Sequence, residues 1–218
     1  MTRLSGESTY LGPLSFLSKA GLAAGVLTPI CYFGTQLVAA LFYPGYSFLG
    51  QVASELGADG ASSATIFNIG VFLTGIATLF AAVGVFRGLR AFGIHPVWSW
   101  LVAIALLSCA VGSINAGIFH LPNPRHNPGF LGIGMFVLPL MLPLATWKLP
   151  ESRRLNAYLV GNLVYLAALA PVMGGVGGLD THAYQGLLQR LFALTLFMPI
   201  GLVSWFLLRA PARAAITA

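Results

Sequence analysis

Six long apolar runs, at 20–42, 64–86, 98–119, 129–147, 156–174 and 187–208, leave this chain few ways to fold. A helix needs about 20 apolar residues to cross the hydrocarbon of a bilayer. The runs are continuous and do not alternate over about ten residues, so they do not read as strands of a membrane barrel. Backbone groups in lipid must be satisfied within the protein, and helices are the remaining solution. Only 7% of the 218 residues are charged, against about 25% in soluble domains. The sequence therefore predicts an all-α integral membrane protein, a six-transmembrane-helix bundle spanning 19–209. Residues 1–18 are expected to be a cytoplasmic or interfacial segment and 210–218 a cytoplasmic tail. The first run is longer than the 7–15-residue core of a signal peptide, so a retained span is expected despite the weak cleavage pattern Val38-Ala39-Ala40. Pro139 and Pro143 in the fourth run and Pro199 in the sixth are expected to kink or loosen their helices.

Basic residues set the orientation. With the N-terminus inside, Arg3, Lys19, Arg87, Arg90, Lys148, Arg153, Arg154, Arg209 and Arg213 are cytoplasmic, and only Arg125 and Arg190 are outside. Both termini are thus expected in the cytoplasm. Trp98, Trp100, Trp147 and Trp205 fall at the same inner rim, where amphipathic rings suit the interface. The net charge of +6 reports topology and contact with anionic lipid, and no basic run suits nucleic acid. Cys31 and Cys109 lie inside apolar runs and read as small hydrophobes.

Glu7, Glu151 and His95 fall on the inner side, and the remaining acids and histidines gather at the other rim. Glu55, one of five acids, ends the polar-aromatic loop that follows the first span. His120 and His126 belong to the loop 120–128, whose prolines 122, 124 and 128 stop a helix. Asp180 and His182 precede the last span, and either Asp180 or Thr181 suits its cap. These five form the candidate catalytic set, with Asp59 on the same side. Arg190 would sit in the first turns of the last span, where a charge needs a partner. Glu55 or Asp180 is the expected partner, as a structural lock or as part of an anion clamp. Arg190, Ser54, Tyr46 and Asn115 are the candidate substrate-binding residues. Tyr43, Tyr46 and Phe48 read as interfacial anchors or as a wall for an amphiphile. Ser113, Asn68, Asn162 and Tyr165 are candidates for a pocket floor or for contacts between helices.

Ser54-Glu55-Leu56-Gly57, the span start from Ala64 to Asn68, the histidine loop after span three, and Gly186-Leu187-Leu188-Gln189-Arg190 together resemble the prokaryotic six-span membrane family of domain of unknown function 998. The resemblance runs from about residue 20 to 209. It implies a polytopic six-helix bundle in the cytoplasmic (inner) membrane and no particular activity. It also implies that an acid often stands where this chain has Gln189.

Four functions are compatible with these residues. His120, His126 and His182, with Glu55 or Asp180, could hold a divalent metal such as zinc with an open water position, for hydrolysis of a lipid or amphiphilic substrate. No helical HxxxH or HExxH spacing accompanies them. A small-solute or proton-coupled transporter would use the same titrating groups, although none is placed near mid-membrane. A structural or accessory subunit of a membrane complex, or a homo-oligomer, would need them only as an ion-pair network. A b-type haem protein would need His120 and His182 on facing helices.

Overall fold

The computed structural model describes residues 13–149 and 151–214. Six helices follow one another: α1 (Phe16–Ala40), α2 (Ala64–Ala91), α3 (Pro96–Ile118), α4 (Gly134–Thr146), α5 (Arg153–Met173) and α6 (Gln185–Ala214). Among the described residues there is no strand. Six segments are long and apolar enough to cross a membrane, the fourth counted from Pro124 to Thr146. This is a multi-pass membrane protein.

Local chemistry fixes the helix starts. Ser15 Oγ accepts the Ser18 N–H at 3.2 Å at the head of α1. His95 Nδ1 accepts the Val97 N–H at 3.3 Å, and Pro96 opens α3, where its missing N–H costs nothing. His95 is thereby used as a cap.

The fourth span differs from its expectation. Its apolar run is continuous, but regular helix covers only Gly134–Thr146, after a 3-10 turn at Gly129–Gly132. Ser108 of α3 stands at the break. Its hydroxyl donates to Leu131 O at 2.5 Å and accepts the Gly134 N–H at 2.8 Å. That side chain satisfies the backbone where the 3-10 turn hands over to the helix. A side-chain carbon on Gly134 would lie 2.3 Å from Ala105 O, so α4 starts against the α3 backbone.

Lipid offers no hydrophobic drive to bring helices together, so close backbone packing must do it. Gly21 of α1 faces Gly84 of α2, and a carbon added to either would meet main-chain atoms at 2.4–2.6 Å. Each belongs to a glycine pair spaced by four, Gly21 with Gly25 and Gly84 with Gly88. Leu22, Leu89, Leu106, Leu138, Leu142 and Leu207 fill the interior and are at most 1% exposed. Helix α6 packs against α1, α2, α4 and α5, whereas α5 packs mainly along α4 and α6 among the described residues. Large apolar side chains such as Ile30, Leu37, Ile69, Phe80, Ile104 and Val164 point outward, as lipid-facing positions should.

Pro199 lies within α6, which continues through it. Proline cannot donate to the carbonyl four residues earlier, that of Thr195. Asn162 Nδ2 of α5 donates to Thr195 O at 3.0 Å instead. Asn162 is therefore a contact between helices and not part of a pocket floor. Replacing Asn162 with Leu should lower stability by about 1 kcal/mol, the typical net worth of one hydrogen bond. In a Pro199→Ala background, where residue 199 regains its N–H, the loss should shrink to near zero. Thermal unfolding of the four proteins in detergent measures this cycle.

Candidate functional site

The connections α1–α2, α3–α4 and α5–α6 meet at one end of the bundle, and the first is the most heavily braced. Its centre is a 3-10 turn, Ala53–Gly57. Such a turn leaves N–H groups unpaired at its start. Gln189 Oε1 of α6 accepts the Ala53 N–H at 2.6 Å. Glu55 reaches back, with Oε1 accepting the Val52 N–H at 3.1 Å and Oε2 accepting Gln51 Nε2 at 2.9 Å. At the other end Asn68 Nδ2 donates to Gly57 O at 3.0 Å, and Ser63 Oγ donates to Leu56 O at 2.7 Å. Asn68 thus supports the loop from α2.

Arg190 does not pair with Glu55 or Asp180, contrary to expectation. Its Nη1 donates to Phe48 O at 2.8 Å, Gln51 O at 3.0 Å and Gly186 O at 2.8 Å. Its Nη2 donates to the Tyr46 hydroxyl. The guanidinium carbon lies 4.8 Å from the Phe48 ring centre and 5.6 Å from that of Tyr46. Partial charges of three carbonyls and two ring faces replace the carboxylate. Both carboxylates are occupied locally: Glu55 as described, and Asp180 Oδ1 by the N–H groups of His182 at 3.0 Å and Ala183 at 3.1 Å. Asp180 therefore closes the turn before α6.

Tyr46 is the second pin of this loop. Its hydroxyl donates within reach of Gln51 O at 3.2 Å and Val52 O at 3.0 Å while accepting from Arg190. Burial raises its pKa above the ordinary phenol value, and the Arg190 charge opposes that rise. The protonated phenol is the form that can donate. Its contribution to stability is complete below pH of about 10, the unfolded value, and is lost as the pH climbs through the raised folded value.

The α3–α4 connection carries His126. Asn115 Nδ2, in the last turn of α3, donates to Arg125 O at 2.6 Å and His126 O at 3.0 Å. This folds the proline-rich loop back over the helix that precedes it. His126 Nδ1 lies 2.7 Å from Phe119 O, and Nε2 lies 3.0 Å from Ser54 Oγ. A carbonyl can only accept, so Nδ1 bears the proton. In the neutral ring Nε2 is then an acceptor, and Ser54 donates to it. The result is a hydroxyl bonded to an imidazole whose tautomer the backbone sets.

His120 is a separate pair. Its Nδ1 lies 2.7 Å from Asp59 Oδ1, with both side chains partly exposed, and the Asp59 N–H donates to Leu121 O at 2.8 Å. His120 lines a cavity of about 360 Å³ between α2 and α3, with Asn68, Phe72 and Gly117. Asp59 lines another of about 380 Å³ beside Tyr43 and Pro44. The His120–Asp59 pair borders both.

The three histidines expected to share a metal do not converge. Among the described residues no group of three His, Cys, Asp or Glu side chains could hold a metal ion. His126 has both ring nitrogens engaged, His120 faces Asp59, and His182 is exposed. Of the expected site residues, the structure brings together Ser54 with His126 and Asn115, and Tyr46 with Arg190. Gln51 and Gln189 were missed, since neutral amides carry little signal in a sequence. Asp59 was visible as an acid on the right side, but its partner was not.

The sequence matches the family described as "Protein of unknown function (DUF998)" over residues 22–206. The chain belongs to this family. No curated protein and no solved structure matches it. The matched region takes in all the braces that this DUF998 protein places around the Ala53–Gly57 turn.

In this DUF998 protein the α1–α2 connection rests directly on α6. A side-chain carbon on Gly186 would lie 2.2 Å from Gln51 O and 2.8 Å from Phe48 O, and the Leu187 N–H donates to Leu49 O at 3.0 Å. Gly186→Ala should push the connection off the helix. Arg190→Lys should release it too, because a single ammonium cannot reproduce the guanidinium fork. Amide hydrogen exchange over residues 46–57 should speed up at least about tenfold in each variant, equivalent to about 1.4 kcal/mol. Unchanged protection would refute the bracing.

Proposed function

We propose that this protein is a membrane-embedded serine hydrolase or acyl transferase acting on an amphiphilic carboxylic ester at the rim that carries Ser54 and His126. One observation carries the reading: Ser54 Oγ donates to His126 Nε2 at 3.0 Å while Nδ1–H is held by Phe119 O. A hydroxyl is a weak nucleophile until an adjacent base accepts its proton, and the base needs a third group to orient it. Here a main-chain carbonyl takes the place of the third side chain, and Asn115 fixes the loop that presents the ring. The chemistry needs no metal, which agrees with the dispersal of the three histidines.

The reaction follows from these positions. Ser54 Oγ attacks the ester carbonyl carbon as His126 Nε2 takes the hydroxyl proton. The imidazolium then donates from both nitrogens, and the Phe119 carbonyl stabilises it at Nδ1. Collapse breaks the carbon–oxygen bond to the leaving alcohol, which receives the proton from Nε2. Water, or an acceptor alcohol, attacks the acylated Ser54 with His126 again as base, and the proton returns to Ser54. A lipid-derived ester suits the site because α1, α2, α3 and α6 all end at this rim. The distribution of basic residues favours an extracytoplasmic position for it.

The protein in detergent should be labelled by a fluorophosphonate probe at Ser54. Ser54→Ala should abolish labelling, and His126→Gln should slow it by about 10²–10⁴-fold, the usual worth of a general base. Both variants should melt within a few degrees of the parent. Labelling that persists in Ser54→Ala, or is absent from the folded parent, would overturn the assignment. A second reading, an accessory subunit of a membrane complex, draws on the saturation of Arg190 and Glu55 by neighbouring main chain and amide groups. It predicts an inert Ser54 and a fixed partner protein on purification.

A further inference from the structure

The opposite rim holds a groove that the Ser54 chemistry does not use. It lies where α4 passes into α5 and has a volume of about 560 Å³, within the range of ligand sites. Trp147, Leu149, Ala157 and Val160 give it apolar walls, and Glu151 and Arg153 both stand among its lining residues. Trp147 is 64% exposed, an amphipathic ring of the kind that suits a membrane–water interface.

The buried polar side chains in its lining, Ser152 and Asn156, are already satisfied. Asn156 Oδ1 accepts from Thr146 Oγ1 at 2.7 Å, and Asn156 Nδ2 donates to Ser152 Oγ at 2.8 Å. Ser152 Oγ donates to Leu149 O at 2.7 Å. An occupant therefore meets no buried polar demand and can present hydrocarbon to the walls. The margin has the opposite character. Lys148, Arg153 and Arg154 are all exposed, and Glu151 is the sole acid between Trp147 and Arg154. Apolar walls with a basic margin complement a molecule with a hydrocarbon tail and an anionic head.

We propose that the groove between α4 and α5 binds one anionic phospholipid, with its phosphate held by Arg153 alongside Lys148 and Arg154 and an acyl chain against Trp147 and Val160. The fold gives such a lipid mechanical consequence. Few residues of α5 are buried, namely Leu155, Asn156, Leu159 and Leu169. A lipid filling the groove extends the contact between α5 and α4. This site and the Ser54 site lie at opposite ends of the bundle, so either can fail without the other.

The test uses the full chain, purified in detergent, exchanged into nanodiscs containing equal phosphatidylglycerol and phosphatidylcholine, and analysed by native mass spectrometry. The parent should retain one phosphatidylglycerol at least tenfold more often than a phosphatidylcholine. Ala157→Trp, which fills the groove without altering charge, should abolish retention. The double variant Arg153→Gln, Arg154→Gln should bring the two lipids to parity. Val164→Trp, on an exposed part of α5 outside the groove lining, should behave like the parent and controls for folding. Equal retention of both lipids by the parent would overturn the proposal. So would undiminished preference in the double variant. Displacement by glycerol 3-phosphate, which lacks acyl chains, would show a phosphate site instead and would equally overturn it.

Discussion

Carbonyl oxygens that leave regular structure near a membrane surface need donors, and in this protein one guanidinium supplies them. Arg190 bonds the carbonyls of Phe48, Gln51 and Gly186 and the hydroxyl of Tyr46, with Phe48 and Tyr46 rings beside it. Without it, a connection of about twenty residues would be left with unpaired main chain at its hinge. Arg190 is half-buried, and removing it leaves these acceptors without their donor, at a cost of about 1 kcal/mol for each bond lost. The position of Ser54 follows, because the two N–H groups just before it are held, that of Ala53 by Gln189 and that of Val52 by the Glu55 side chain.

The bundle beneath is held by close approach more than by apolar burial. Gly21 against Gly84, and Gly134 against Ala105 O, bring backbones nearer than any larger residue permits. Because α6 touches four other helices, the loops that rest on its first turns inherit a rigid base. Helix α5 is the exception, with its two short contacts to α4 and α6. Asn162 joins it to α6 at the Thr195 carbonyl that Pro199 cannot serve, so a proline in one segment and an amide in another act together.

The spans were readable from the residues because lipid imposes a length and a composition, and both are local. Most helix ends fall within a few residues of the apolar runs; α2 and α6 continue five and six residues past theirs, and α4 starts five residues inside its own. There the apolar run does not reveal that Ser108, on another helix, takes over the backbone bonds. The gathering of Glu55, His120, His126, Asp180, His182 and Arg190 at one rim was also readable, since an even alternation of spans puts alternate loops together. Their partners were not. Charge alone pairs Arg190 with a carboxylate, whereas the fold brings main-chain carbonyls to it. Glu55 and Asp180 were free to look outward in sequence, but each is used within a few residues of itself.

What the sequence by itself determined is the membrane, the number of crossings and the rim at which the titrating groups collect, because these depend on hydropathy summed over whole segments. The partnerships were decided only by tertiary structure. Ser54 and His126 stand 72 residues apart in loops rich in glycine and proline, where no period governs the path. Their contact exists because Asn115 folds one loop back and α6 pins the other, and neither brace is visible until the helices have packed.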